Sequence, residues 1–301
     1  MTAAGNPALA ITAGRPKEGG RRFSLDWLGT VPFLAYVAVF LFLPTLIIVA
    51  GAFVSADGGV TLGNFSAVTR SFVVRAALNS MLISLVTAVI GAALGAILTY
   101  AIALGSPNSV LRRMVTSACG VLAQFGGVTL AFAFLATIGP AGFVYVMLKD
   151  HGIDFYGNGY WIYDIRGLEV VYLYFQIPLM VLVFLPAVDG IKPQWREATE
   201  SLGGNSWHYW RYVAGPLLFP AFLGGTLLLF ANSFSAFATA NALINQGGII
   251  LPQQISNYVS SETGGADAGV AQALAVLMIV IVTLVTVVYS LLQRRTSRWL
   301  Q

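Results

Sequence analysis

Charge is what this sequence has least of. Only 9% of its 301 residues are Asp, Glu, Lys or Arg, against about 25% in a soluble globular chain, and 57% are hydrophobic. That ratio points to a chain that crosses a lipid membrane several times. Cysteine is nearly missing. A single one, Cys119, excludes an internal disulfide framework and a cysteine-based metal cluster, and reads as a small buried filler. The two histidines, His151 and His208, fall in connections expected on opposite sides of the membrane, so no paired-histidine metal site is available. No G-x-x-x-x-G-K-[ST] run occurs, so this chain has no P-loop of its own for nucleotide phosphates. A G-x-S-x-G elbow and a carboxylate pair deep in an apolar stretch are missing too, which leaves no hydrolytic machinery.

What is present is apolar sequence in long runs. Six segments stand out, near 28–52, 79–104, 115–138, 168–188, 217–238 and 270–292. Each is long enough to cross about 30 Å of hydrocarbon at about 1.5 Å per residue. The expectation is an all-α, polytopic protein with six transmembrane helices. The net charge of +4 reads as topology and not as nucleic-acid affinity, because the cations gather at segment ends. Twelve of the sixteen lie in the amino-terminal tail (Arg15, Lys17, Arg21, Arg22), the second connection (Arg112, Arg113), the fourth (Lys192, Arg196, Arg211) and the carboxy-terminal tail (Arg294, Arg295, Arg298). Arg70, Arg75, Lys149 and Arg166 fall on the other side. The positive-inside rule then places both termini and the fourth connection in the cytoplasm.

Residues 1–25 form a cytoplasmic tail without apolar period, expected to be flexible, and 26–301 one membrane domain with a cytoplasmic loop at 190–216. The first apolar segment is too long for a signal-peptide core and reads as a retained helix. Among the outer connections, SFVVRAAL (71–78) suggests a short interfacial helix before the second span, and FVYVMLKDHG (143–152) a short amphipathic one. Tyr160, Trp161 and Tyr163 suggest an interfacial aromatic belt. NALINQGGIILPQQI (241–255) is too broken by Gly and Pro to span, so it lies on the surface or lines a cavity.

The spans carry neutral polarity and no ionisable group near a centre; Glu169 sits at a span edge. That counts against ion-driven transport, which tends to keep such a group. Gln124 and Phe125 precede Gly126-Gly127 in the third span, Tyr172, Tyr174 and Gln176 lead to Pro178 in the fourth, and Asn232, Ser233 and Ser235 punctuate the fifth. A buried amide without a partner costs a few kcal/mol. These groups face one another as interhelical glue, or they face a wet passage. Gly91 and Gly95 in GAALG form a small-residue packing motif.

One loop concentrates the polarity that the spans lack. In IKPQWREATESLGGNSWHYWRYVAGP (191–216), Pro193 suits a first helical turn, and Trp195, Ala198 and Leu202 recur at helical spacing. Arg196 and Glu200 can pair four residues apart. Gly203-Gly204 ends the helix, Asn205 or Ser206 caps a second short one, and Pro216 leads into the fifth span. The alternatives are a compact plug or a helix resting on headgroups.

The stretch resembles the EAA loop of the permease subunits of binding-protein-dependent ABC importers. Glu197, Ala198 and Thr199 stand at E-A-A, Gly203 at the glycine position, and Val213 to Pro216 at I-x-L-P, with Thr199, Val213 and Gly215 as departures. The resemblance continues in Asn79-Ser80 and in SFSAFATANAL (233–243). It implies a type I importer permease fold in the bacterial cytoplasmic membrane. Its partners would be a dimer of ATP-binding subunits, a second permease subunit of different sequence and an extracytoplasmic substrate-binding protein. The chain would hold no cofactor and be no enzyme, since ATP is hydrolysed by the partner. Glu197, Ala198, Leu202, Gly203 and Trp207 would couple to the ATPase subunit, and Gln124, Phe125, Tyr172, Gln176, Asn232 and Ser235 would line the substrate path. The polyamine, thiamine, iron and phosphonate branch is the most similar, with spermidine or putrescine the first expectation for the solute. Another solute, sugar included, is the alternative, followed by an ATP-independent secondary transporter.

Overall fold

A computed structural model of the chain describes residues 30–55, 57–106, 108–157, 159–244, 248–260 and 267–297, the last six without side chains. The expected tail at 1–25 and the cations beyond Ser297 lie outside the described residues. Among the described residues thirteen α-helices follow in order: α1 (Val31–Val37), α2 (Leu43–Gly51), α3 (Ser71–Ala103), α4 (Val110–Gln124), α5 (Gly127–Ile138), α6 (Phe143–Asp150), α7 (Ile165–Asp189), α8 (Pro193–Ser201), α9 (Ser206–Tyr209), α10 (Gly215–Ser235), α11 (Phe237–Leu243), α12 (Leu251–Val259) and α13 (Ala268–Ser297). Among the described residues β pairing is confined to one bridge, Val54 with Val60. The protein is all-α, and six of its helical stretches are long and apolar enough to cross a membrane. The described residues divide into two compact units, one before and one after the Ile47–Ile48 bond.

Prolines shape two of these stretches in the same way. A π-helical turn, Ala38–Phe42, joins α1 to α2, and another, Trp210–Ala214, joins α9 to α10. Each ends two residues before a proline, Pro44 and Pro216. A proline ring lacks the N–H for the carbonyl four residues back and clashes with it, and a widened turn relieves both problems.

The larger unit is held by close helix contacts around Met180, which is fully buried. A Cβ on Gly95 of α3 would lie 2.5 Å from the Met180 Cβ, and one on Gly225 of α10 would lie 2.6 Å from its sulfur. A Cβ on Gly91 would meet Gln176 at 3.1 Å. The GAALG glycines therefore let α3, α7 and α10 approach backbone to backbone. Tyr289 of α13 donates to the Pro220 carbonyl of α10 at 3.3 Å.

Three expectations need correction. SFVVRAAL is no separate interfacial helix: it forms the first turns of α3, a continuous helix of 33 residues that reaches about 50 Å at 1.5 Å per residue. The third span, expected to be continuous over 115–138, is broken between Gln124 and Gly127. By composition the stretch Gly127–Asp150 is also long enough to cross. The chain stops at Gly139, however, where a Cβ would run into the Leu135 carbonyl, and α6 begins only at Phe143. The side-chain contacts instead place α4 beside α7: Arg112 pairs with Asp189 at one end, and Phe125 meets Tyr174 edge-on at 6.4 Å near the other. We therefore take α4 and α5 together as the third crossing. Finally, Trp161 is no simple belt residue, since it packs on Phe155 and Tyr156, while Tyr160 and Tyr163 stay exposed.

At 241–244 and 248–255 the expectation of a surface or cavity-lining segment also needs correction, because protein covers the backbone there. That irregular backbone is bonded from inside: Gln253 Nε2 donates to the Ile244 carbonyl at 2.7 Å and Gln254 Nε2 to the Gly248 carbonyl at 2.6 Å. Asn79 Nδ2 donates to the Ile249 carbonyl at 3.2 Å, and the Leu251 N–H donates to Ser80 Oγ at 2.8 Å. Four polar side chains thus replace the water that irregular backbone needs at depth.

Candidate functional site

Two helices are interrupted in the larger unit, and the interruptions meet. The α4–α5 break consists of Phe125 and Gly126, and Gly127, the first residue of α5, lies at φ +71°. The α10–α11 break is Ala236 alone, with ψ 89°. The Gly127 N–H donates to Thr239 Oγ1 of α11 at 2.9 Å, so a backbone donor freed by one break is satisfied by the helix that follows the other. Tyr172 of α7 donates its hydroxyl to the Ala236 carbonyl at 2.5 Å, which satisfies the acceptor freed at the second. Between them lies a cavity of about 510 Å³, lined among others by Gln124, Gly127, Phe175, Asn232, Ser235 and Thr239. No charged side chain lines it.

The six expected path residues separate into two groups. Gln124, Asn232 and Ser235 come together at the cavity wall. Tyr172 and Gln176 do not: both are fully buried in helix packing. Gln176 Nε2 donates to Thr87 Oγ1 at 2.7 Å, Thr87 donates to the Ile83 carbonyl at 2.7 Å, and Ser233 completes the cluster by donating to Thr87 at 3.1 Å. The Gln176 amide nitrogen and the Ser233 hydroxyl thus act as interhelical glue, while Gln176 Oε1 is buried without a hydrogen-bond partner among the described residues. Phe125 sits in the break but packs on Tyr174 outside the lining. Thr239 and Ala236 were missed, because nothing in SFSAFATANAL distinguishes one threonine or one alanine from its neighbours.

The loop at 191–216 follows its local signals closely. Pro193 opens α8, and Arg196 Nε bonds Glu200 Oε1 at 3.0 Å. The helix closes in a Schellman motif: the Gly203 N–H donates to the Glu200 carbonyl at 3.0 Å and the Gly204 N–H to the Thr199 carbonyl at 2.9 Å, with Gly203 at φ +78°. A Cβ on Gly204 would sit 2.7 Å from Thr199 Cγ2, so both glycines of the corner are required, for different reasons. Asn205 caps α9, accepting from the His208 N–H at 3.1 Å. Trp210 packs edge-on against Tyr100 of α3 at 5.1 Å and anchors the loop to the bundle. The apolar stripe expected along α8 is only partly covered: Trp195 is half-buried, Ala198 is exposed, Leu202 is 88% exposed and Trp207 66%. Glu197 and Gly203 are exposed as well, so all five expected coupling residues are uncovered in this chain.

Both features fall within residues 59–298, which match the family described as binding-protein-dependent transport system inner membrane component. The chain belongs to that family. It is 28% identical over 147 residues to the molybdenum transport system permease protein ModB of Escherichia coli (strain K12), a match covering 48% of this chain and 62% of that protein. It is 26% identical over 112 residues to the thiamine transport system permease protein ThiP of the same organism, covering 37% of this chain and 20% of that one. The chain thus spans less than two thirds of these curated relatives. A chain from the crystal structure of a bacterial ABC transporter involved in the import of the acidic polysaccharide alginate shares the fold, with TM-score 0.74 at 17% identity, over 90% of this chain and 95% of that one.

Proposed function

We propose that this chain is the permease subunit of an ATP-driven importer in a bacterial cytoplasmic membrane, with the 191–216 loop on the cytoplasmic side. The observation that carries the proposal is the glycine-locked corner of α8 and α9, which holds Leu202 and Trp207 out from the bundle at the family's motif position. A large apolar side chain that is 88% exposed on a rigid corner fits a groove in a partner better than it fits water. The partners are a pair of ATP-binding subunits, a second permease and an extracytoplasmic binding protein. ATP-driven closure of the ATPase pair moves the corner, and the two interrupted helices alternate the access of the cavity.

The cavity sharpens the solute. Its wall offers amides and hydroxyls and no carboxylate, so a polyamine would find no counter-charge there. The same wall suits an uncharged polar solute, which needs only the neutral donors and acceptors it offers.

The test is Gly203→Asp in a reconstituted complex. Aspartate tolerates φ +78° better than most residues do, so the change acts mainly by bringing a charge and a side chain to the contact. The expected result is normal membrane insertion with transport-linked ATPase stimulation abolished. Transport at the wild-type rate would overturn the assignment of the loop.

A further inference from the structure

Arg112, in the first turn of α4, and Asp189, the last residue of α7, form an ion pair across the two helices. Each charge sits at the wrong end of its own helix, since the dipole disfavours a cation near the N-terminus and an anion at the C-terminus. Across the pair the signs reverse. Arg112 faces the carbonyl end of α7, and Asp189 faces the N–H end of α4, so the arrangement is favourable only while the two ends stay together. The Arg112 side chain is only 11% exposed and that of Asp189 43%. A guanidinium buried to that degree is left uncompensated if its partner withdraws. The neighbouring Arg113 is spent locally, donating to the Asn108 carbonyl at 3.2 Å.

The pair joins two elements already described. On one side, only Gly190, Ile191 and Lys192 separate Asp189 from Pro193, the start of α8. On the other, α4 runs unbroken for 15 residues from Arg112's turn to Gln124, and Ala123 and Gln124 line the cavity. Beyond them the chain bends at Phe125 to Gly127, the last at φ +71°. A rigid helix with a hinge at the cavity and a charged latch beside the loop is a lever.

We infer that Arg112 and Asp189 transmit movement of the α8–α9 corner to the cavity wall, acting as positioning residues for transport. The inference rests on the permease reading. When the corner shifts, Asp189 draws Arg112 and α4 with it, and Gln124 moves about the hinge at Phe125 to Gly127.

The experiment uses the chain assembled with the ATPase subunits that co-purify with it, carrying Cys119→Ala and a reporter Gln124→Cys. Maleimide labelling of the reporter is timed without nucleotide and with ATP and vanadate. With the native pair, the two rates should differ by about tenfold. In Asp189→Asn and in Arg112→Gln the difference should vanish, and in the exchanged pair Arg112→Asp with Asp189→Arg it should return. A merely structural pair would leave the nucleotide-dependent difference intact in single variants that still assemble. If the single variants assemble and keep the difference, or the exchanged pair assembles and lacks it, the lever is wrong. Should the single variants fail to insert, the exchanged pair alone decides in the same way. If the wild-type chain captures no ATPase subunit, the permease reading itself falls.

Discussion

The two interruptions that enclose the cavity make nearly the same turn by different means. Phe125 takes φ −81°, ψ 87°, and Ala236 takes φ −73°, ψ 89°. After Phe125 the chain needs an extended Gly126 and a left-handed Gly127 before helix resumes. After Ala236 it re-enters helix at once, and the turn is held from outside by the Tyr172 hydroxyl. The first break is written in the backbone, because a glycine there admits a conformation other residues avoid. The second is imposed by a tertiary partner. Removing that partner, or removing the glycine, should therefore act on one break and leave the other.

The largest effect is expected from Tyr172→Phe. The change keeps the ring in its buried site but leaves the Ala236 carbonyl without its donor, a loss of about 1–3 kcal/mol. Thermal unfolding of the purified chain in detergent would register it as a lowered midpoint. If the midpoint is unchanged, the second break is self-sufficient and the contrast with the first disappears. Gly127→Ala should follow, at about 1–2 kcal/mol. Space is not the reason, since the nearest atom to a Cβ there is Ala238 Cβ at 3.8 Å; the whole cost is φ +71°. Gly126→Ala, at an extended φ of −138° with nothing near its Cβ, is the control and should be close to neutral.

The same contrast decides what the sequence reveals. The loop at 191–216 was legible almost residue by residue, because Pro193, Gly203 and Asn205 act through their own backbone and need no distant partner. The six apolar stretches were legible from hydrocarbon length. Gly126-Gly127 stands out in an apolar span, but two adjacent glycines alone do not say that a helix ends there. Ala236 carried no signal, because its turn depends on a tyrosine 64 residues away. Arg112 and Asp189 lie 77 residues apart, and Arg112 was read only as a topology charge. Tyr172 and Gln176 show the converse. Polarity in a span is the same in sequence whether it meets water or another side chain, and here Thr87 and the Ala236 carbonyl were waiting for them.

A smaller effect than that of Tyr172→Phe bears on whether the cavity is wet. In an unbroken helix the N–H of Ala236 would bond the Asn232 carbonyl, but at the break it bonds Ser233 at 3.1 Å instead. Ser235 Oγ supplies a weak substitute to Asn232 at 3.2 Å while also donating to Ala231 at 3.0 Å. Ser235→Ala therefore strips the Asn232 carbonyl of its protein donor, on a residue that lines the cavity. In a hydrated cavity water takes the vacant position at little cost, and stability should change by no more than about 0.5 kcal/mol. In a dry, packed one the orphaned carbonyl would cost about 1–3 kcal/mol, the same as in Tyr172→Phe. Equal losses in the two variants would mean that both breaks are sealed in protein, and the cavity between them would no longer serve as a passage for solute.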